Sequence, residues 1–291
     1  MSTPEAPATP SNAAYPPASI AWYSLGILLV AYTIAFVDRT ILALLVGPIQ
    51  RDLGISDTLM GLLHGIAFAL FYCALGIPIA RLSDQHSRRW IILIGMVIWS
   101  AMTALCGVAR NFWHLFIARI GVGVGEAALS PAAYSMIADM FPPHRLARAL
   151  GVYSSGVFFG AGIAFMIGGA VIGALEATRE ITLPIVGEIR SWQAVFFAVG
   201  IPGGVFALLM LTVPEPARKT TVRVDPGRTL PSLWRYMSGN RKAVGGHFIG
   251  FSLLAIVFNG YVAWAPSQLI RDFSVSAAQA GQALGLVIFL F

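Results

Sequence analysis

Residues 51–71 read RDLGISDTLMGLLHGIAFALF and residues 271–291 read RDFSVSAAQAGQALGLVIFLF. The two stretches align without a gap at an offset of 220 positions, matching at Arg51/Arg271, Asp52/Asp272, Ser56/Ser276, Gly61/Gly281, Gly65/Gly285, Leu70/Leu290 and Phe71/Phe291. Composition alone would match glycine and leucine in a chain of this kind, but hardly the Arg-Asp pair. Both copies also carry small residues one helical turn apart, the spacing at which two backbones can approach closely. The chain contains an internal repeat, and its meaning depends on what lies between the copies.

Seven runs are long enough to cross a bilayer core, which takes about 20 residues of helix: Ile20 to Ile49, Thr58 to Ala80, Trp90 to Ala109, Asn111 to Ala138, Ala149 to Leu175, Ser191 to Val213 and Ala243 to Ser267. An eighth begins near Ala277 and is still apolar at Phe291. The composition agrees: 57% of the 291 residues are hydrophobic and 11% are charged, against about 25% charged in an average soluble domain. So few charges cannot solvate a soluble surface, which excludes soluble enzymes and nucleic-acid-binding modules. The formal charge of +6 comes from basic residues in short segments between spans, where topology accounts for them. Six spans separate the copies of the repeat, an even number, so both copies cross in the same direction, as in proteins built from two parallel six-helix halves.

The expected fold is therefore an all-α membrane protein. Residues 20–213 form a complete six-helix N-terminal half, residues 214–242 a basic cytoplasmic loop, and residues 243–291 the start of a second half, truncated within its second helix. Residues 1–19 hold five prolines and one charge, Glu5, and read as a disordered tail. The tail has no basic n-region and is not a signal peptide.

Counting Lys and Arg orients the bundle. With the N-terminus inside, the inner segments hold twelve (Arg81, Arg88, Arg89, Arg145, Arg148, Arg218, Lys219, Arg223, Arg228, Arg235, Arg241 and Lys242), and the outer ones five (Arg51, Arg110, Arg179, Arg190 and Arg271). The positive-inside bias thus places the N-terminus in the cytoplasm, in a multi-pass protein of a bacterial inner membrane. In the longest loop, Leu230 to Met237 sets Leu233, Trp234 and Tyr236 beside Arg235, which suits either a short helix on the inner membrane surface or an irregular linker.

Asp38, Arg39, Arg119 and Glu126 lie inside apolar runs, and ionisable groups there are functional candidates by default. With Trp22 as inner anchor, Asp38 lies 16 residues further on, about 24 Å along the helix and about 6 Å short of the outer side of a roughly 30 Å core. Arg119 lies about 9 Å below an outer anchor at Trp113. The depths agree to about one turn, so Asp38 and Arg119 are expected to face a common cavity and interact. Glu126 is two turns beyond Arg119 on nearly the same face, deeper and with no cation immediately adjacent. That setting suits a reversible proton site; permanent pairing between helices is the alternative. His64 reaches a depth similar to Arg119 and is a substrate or proton candidate, or a packing residue.

The remaining motifs are structural. Gly121, Gly123 and Gly125, and Gly156, Gly160, Gly169 and Gly173, supply small surfaces for helix packing. Cys73 and Cys106 sit in apolar runs and indicate neither a disulfide nor a metal site. No nucleophile-base constellation or cofactor fingerprint argues for an enzyme; GVGVGEA lacks the Lys-Ser/Thr of a phosphate loop.

The segment Ala80-Arg81-Leu82-Ser83-Asp84-Gln85-His86-Ser87-Arg88-Arg89 resembles the inner-loop signature of the major facilitator superfamily, with Ala80 and Ser87 where glycines are usual. Arg119 followed by Gly123, Gly125 and Glu126 resembles that superfamily's fourth-helix signature, and Asp139 the acid that partners the basic pair. Helix 5 has Gly160-Ala161 in place of the Gly-Pro of proton antiporters, which weakens a drug-antiporter assignment. Val37-Asp38-Arg39-Thr40, Ile49-Gln50, Gly61-Leu62-Leu63 and the stretches 123–127 and 137–141 are similar to spinster-like transporters. The resemblance covers nearly all of residues 30–170. It implies proton-coupled movement of an amphiphilic anion of the lysolipid or sphingolipid class by alternating access.

On that reading Glu126 and Asp38 are the proton-coupling residues, and Arg119, Arg39 and His64 bind substrate. Asp84, Arg88, Arg89 and Asp139 gate the inner side. Phe68, Phe71, Tyr72, Phe158 and Phe159 are candidates to line a lipid-sized cavity. The expected partners are a small-molecule or lipid substrate, protons and membrane lipids, with no nucleic acid and no cofactor or metal; a complete chain is expected to be monomeric. A small organic-anion/proton symporter and a truncated, non-transporting membrane protein stay open as alternatives.

Overall fold

The computed structural model describes residues 15–175, 181–183, 187–219 and 229–290. Residues 1–14 of the expected tail, together with Arg179, Arg223, Arg228 and Phe291, lie outside the described residues. Thirteen α-helices are present among those described: α1 (Ala18–Ile41), α2 (Val46–Leu53), α3 (Asp57–His64), α4 (Ile66–Gln85), α5 (Arg88–Cys106), α6 (Phe112–Glu126), α7 (Leu129–Met140), α8 (Pro143–Ser154), α9 (Gly156–Leu175), α10 (Ser191–Ala207), α11 (Thr229–Gly239), α12 (Arg241–Phe273) and α13 (Ala277–Leu290). Seven helical stretches of 19 to 33 residues, several made of two of these pieces, are long and apolar enough to cross a membrane. A short antiparallel hairpin of β1 (Ile181–Leu183) and β2 (Gly187–Ile189) precedes α10.

The spans are more broken than the apolar runs suggested, and prolines account for two of the breaks. The first run was expected to continue to Ile49, but α1 passes into a 3₁₀ turn at Leu42–Leu44 before α2 starts. Pro48 falls in the first turn of α2, where its missing N–H costs nothing. In the fourth span Pro131 cannot donate to the carbonyl of Ala127 four residues earlier. There the helix tightens to an i→i+3 bond from Ala128 to Gly125 and divides into α6 and α7. Glu126 is the last residue of α6, at the break itself. Two boundaries also shift. The fifth span starts at Pro143, the favoured N1 position for proline, rather than Ala149, and the seventh runs on to Phe273 rather than Ser267.

Within residues 15–216 and 263–291, which form one compact unit, α1 lies against α9 and α10, α5 against α6 and α10, α4 against α6, and α13 against α9. Leu25, Leu28, Trp99, Val122, Met136 and Tyr153 are among the core residues where these helices meet. The α5–α6 contact depends on glycine. A Cβ on Gly125 would lie 2.6 Å from the backbone nitrogen of Trp99, and one on Gly95 would lie 2.7 Å from the carbonyl oxygen of Gly125. Residues 217–262 form a second unit, containing α11 and the first part of α12. The helix at Thr229–Gly239 replaces the linker alternative; Trp234 and Tyr236 on it are exposed.

The repeat is visible in the backbone. Gly54 and Ser274, 220 positions apart, both adopt left-handed conformations, with φ of 65° and 54°. Two residues on, Ser56 accepts from the backbone N–H of Leu59 and Ser276 from that of Gln279, each capping the next helix. Both copies leave one helix and enter the next through the same turn.

Gly125→Ala should destabilise the bundle by about 1–3 kcal/mol, the usual effect of overpacking. Gly61→Ala, where a Cβ meets nothing within 4 Å, should be neutral or stabilising by up to about 1 kcal/mol. Thermal unfolding of both variants in detergent checks the contrast.

Candidate functional site

Asp38 and Arg39 are consecutive on α1, so their side chains leave the helix about 100° apart and meet different neighbours. Asp38 is directed to α5 and α6: Thr103 Oγ1 donates to Oδ2, and Arg119 Nη1 lies 3.4 Å from Oδ1. Arg39 is directed to α4 and α6, where its Nε donates to Glu126 Oε2 at 2.5 Å. Arg119 and Glu126 share one face of α6, so two helices are joined by two ion pairs in which each helix supplies one acid and one base. The Asp38–Arg119 pair is loose compared with the about 2.7–2.9 Å of a charge-assisted bond; Thr103 holds that carboxylate more closely. The expected proximity of Asp38 and Arg119 is present, whereas the expectation that Glu126 lacks an adjacent cation is corrected: the partner comes from α1, invisible to spacing along α6.

Exposure separates the four. Asp38, Arg119 and Glu126 are each 1% exposed, so in this arrangement they face packed protein rather than an open cavity. The Arg39 side chain keeps 24% of its surface. Its guanidinium sits over the rings of Phe36, Phe68 and Tyr72 at 4.9, 4.5 and 4.7 Å, a contact between cation and aromatic face that gains strength where water is scarce. Phe68 also lies 5.7 Å from the Arg119 guanidinium, so one ring separates the two cations. Glu126 Oε1 and Arg119 Nε have no hydrogen-bond partner among the described residues.

His64 closes α3 near enough to Arg119 to feel its charge, its ring 6.4 Å from that of Trp264 and its Nε2 buried without a hydrogen bond among the described residues. Of the proposed lining aromatics, Phe68 and Tyr72 stack beside Arg39 at 5.4 Å. Phe158 is exposed, and Phe159 packs 6.2 Å from Phe289.

A second cluster forms where α4 gives way to α5. The helices continue so far that only His86 and Ser87 connect them, placing Asp84 in α4 and Arg88 and Arg89 in α5. Arg88 is fully buried and uses every arm. Its Nη1 donates to Asp139 and to Ser135 Oγ, its Nε to Glu215 Oε1 at 2.8 Å, and its Nη2 to the carbonyl of Pro216 at 2.8 Å. Glu215 also accepts from the Ser87 hydroxyl at 2.7 Å and the Arg89 backbone N–H at 2.9 Å. Burial acts to raise the pKa of Glu215, but these donors together outweigh it and hold the carboxyl below its ordinary range. Asp84 is exposed and outside the cluster. Arg88 thus meets Asp139, the acid that the resemblance pairs with the basic residues, and braces α5 and α7 against the segment after the sixth span. Glu215 escaped the sequence reading because it stands in a loop; its setting between Pro214 and Pro216, just before the basic residues, was the available signal.

At the opposite end of the span formed by α3 and α4, Arg271 of α12 makes a two-pronged bond to Asp57. Nη1 reaches Oδ2 at 3.0 Å and Nη2 reaches Oδ1 at 2.8 Å; Gln50 accepts from Nη2 at 2.9 Å and donates to Asp57 at 2.8 Å. Sequence counting had assigned Arg271 only to topology. Its copy, Arg51, makes no such clasp among the described residues. Asp52 of that first copy is 3.3 Å from Arg190 and accepts from Trp192 Nε1 at 3.0 Å.

A family model described as Major Facilitator Superfamily matches residues 28–291. A solved structure of a bacterial homologue of the human lysosomal transporter spinster, inward-facing and unoccupied, is 33% identical, with a TM-score of 0.79 over 93% of this chain and 60% of that one. An MFS-type efflux pump of Mycolicibacterium smegmatis is 29% identical over 91% of this chain and 58% of its own length. A probable L-galactonate transporter of Escherichia coli K12 is 28% identical over 91% and 57%. The chain spans less than three fifths of the length of these two curated relatives.

Arg119→Gln should leave the Asp38 carboxylate buried and unpaired, at a cost of about 3–5 kcal/mol, and Asp38→Asn in the same chain should recover most of the loss; thermal unfolding of the two variants measures it. For Glu215 the sign follows from its lowered value: its contribution is fully present above the ordinary 4.5 and is lost as pH falls through the lowered one. Acid unfolding followed by tryptophan fluorescence should therefore show a transition below that pH whose slope decreases in Glu215→Gln.

Proposed function

The chain belongs to the major facilitator superfamily, and from that premise we propose that it serves a proton-coupled secondary transporter that moves an amphiphilic anion by alternating access. One observation carries the reading: of the four charges in the paired cluster, Arg39 alone is reachable, and its counter-ion is a fully buried carboxylate 2.5 Å away. Protonating Glu126 removes the charge that engages Arg39. The guanidinium then offers its exposed side to the anionic group of a substrate, while Phe36, Phe68 and Tyr72 supply apolar contact for the attached body. Deprotonation reverses the exchange. Substrate and carboxylate compete for one cation, which is a means of coupling proton and substrate movement without contact between them. Asp38 and Arg119, held by Thr103, form the second pair of the network, and His64 remains a candidate at its edge.

The clasp of Arg271 by Asp57 and Gln50 ties the end of α12 to α2 and α3, and opening the bundle at that end requires the three to part. Because Arg271 and Asp57 are exposed, their ion pair is weak, as suits a contact broken in every cycle. The excess of Lys and Arg at the other end supports a cytoplasmic N-terminus in a bacterial inner membrane, with α11 on the inner surface and the monomer as the working unit. The substrate class we favour is the lysolipid or sphingolipid type, in keeping with the similarity to the spinster homologue. A small organic acid is the second reading, favoured by the similarity to the probable L-galactonate transporter.

Reconstituted in proteoliposomes, Glu126→Gln should lose uptake driven by a pH gradient while keeping counterflow exchange. Full gradient-driven uptake by that variant would overturn the assignment. Competition of a lysolipid against short hydroxy-carboxylates in the same vesicles decides between the two substrate classes.

A further inference from the structure

The start of α1, the end of α7 and the start of α8 enclose a cavity of about 220 Å³, with Tyr15, Trp22, Met140, Phe141, Pro142 and Arg145 in its wall. Three membrane-length stretches begin or end here, which places the cavity where hydrocarbon gives way to headgroups. Its floor is apolar and aromatic: Trp22 meets Phe141 edge to face at 5.2 Å. Its rim is cationic. Arg145 is exposed in the wall, and the Arg148 guanidinium lies 5.5 Å from the Trp22 ring. Among the described residues no acidic side chain lines the cavity. Asp139, the nearest acid along the chain, is taken by Arg88, and among the described residues neither Arg145 nor Arg148 is in an ion pair.

The volume is below the about 300–1,000 Å³ of sites that enclose a whole drug-sized ligand. It fits a headgroup whose tails remain in the bilayer. The cavity is also far from the paired charges, since Trp22 and Asp38 are separated by about 24 Å of helix. We propose that this cavity binds the phosphate headgroup of an anionic membrane phospholipid, as a resident lipid rather than as cargo. Arg145 supplies the fork of donors that suits a phosphate, Arg148 adds a second cation held over Trp22, and the glycerol region packs on Trp22 and Phe141. Basic pockets between spanning helices take anionic headgroups for this combination of charge and apolar surface. The inference does not depend on the proposed transport activity.

The test is native mass spectrometry and thermal unfolding of the purified chain in neutral detergent, titrated with dioleoylphosphatidylglycerol, with dioleoylphosphatidylcholine or with inorganic phosphate. One tightly retained phosphatidylglycerol and a rise in unfolding temperature are expected, with at least fivefold weaker binding in the Arg145→Gln/Arg148→Gln variant. Both side chains are exposed, so the variant should fold; Arg145→Lys provides a second, milder substitution and should keep an intermediate affinity. Arg110→Gln, exposed just before α6 at the other end of the fourth span, should bind as the unaltered chain does. Equal phosphatidylglycerol affinity in the double variant would overturn the proposal. So would an equal effect of phosphatidylcholine, which would mean unspecific lipid binding, or of inorganic phosphate, which would mean a soluble-anion site.

Discussion

Two consecutive residues of one helix, an acid and a base, are neutralised by a base and an acid two turns apart on another. A helix cannot aim consecutive side chains at the same neighbour, so α1 must fit into a corner, with α5 and α6 on the side of Asp38 and α4 and α6 on the side of Arg39. Each charge is too costly to bury alone, and each has one partner within reach. That requirement fixes the rotation of α1 about its axis more firmly than its apolar surface does, because apolar residues are spread around the helix rather than gathered on one face. The glycine contacts serve the same end. Gly95 and Gly125 let α5 approach α6, and a Cβ on Gly123 would lie 2.6 Å from the Phe68 carbonyl oxygen, so α4 approaches the same helix equally closely.

The two ends of the bundle are held by different means. Arg88 is buried, and its partners lie in α7 and in the segment that follows the sixth span. Such a brace is expensive to break and makes those elements behave as one body. Arg271 and Asp57 are exposed, joined across the long loop that separates the sixth and seventh spans, and stabilised by hydrogen bonds that water can replace. The buried contact ties α5 and α7 to the segment after the sixth span, and the exposed one ties the end of α12 to α2 and α3.

The spans, their repeat and the four intramembrane charges were legible because each leaves a mark along the sequence: apolar length, a fixed offset, an ionisable group where lipid forbids one. Depth arithmetic from Trp22 and Trp113 brought Asp38 and Arg119 to one level. It could not show that Arg39 belongs to Glu126, because depth says nothing of rotation about the helix axis, and that pairing is set by the angle between residues 38 and 39. The breaks at Pro48 and Pro131 were legible in principle but were submerged in continuous hydropathy. The partners of Arg88 were not: Glu215 is 127 residues away along the chain, and only the folded bundle brings it near. Asp84 is near the basic pair in sequence, and α4 carries it to an exposed position.

Ser274 stands where the first copy of the repeat has Gly54, and it keeps the left-handed backbone that glycine accepts freely. For a serine that conformation carries a penalty of about 1–2 kcal/mol, yet the turn, the serine cap and the helix that follows are all reproduced. Two copies of one segment can thus share a shape although only one of them carries the residue that makes the shape easy. Here the likeness of the two copies is plainer in torsion angles than in letters.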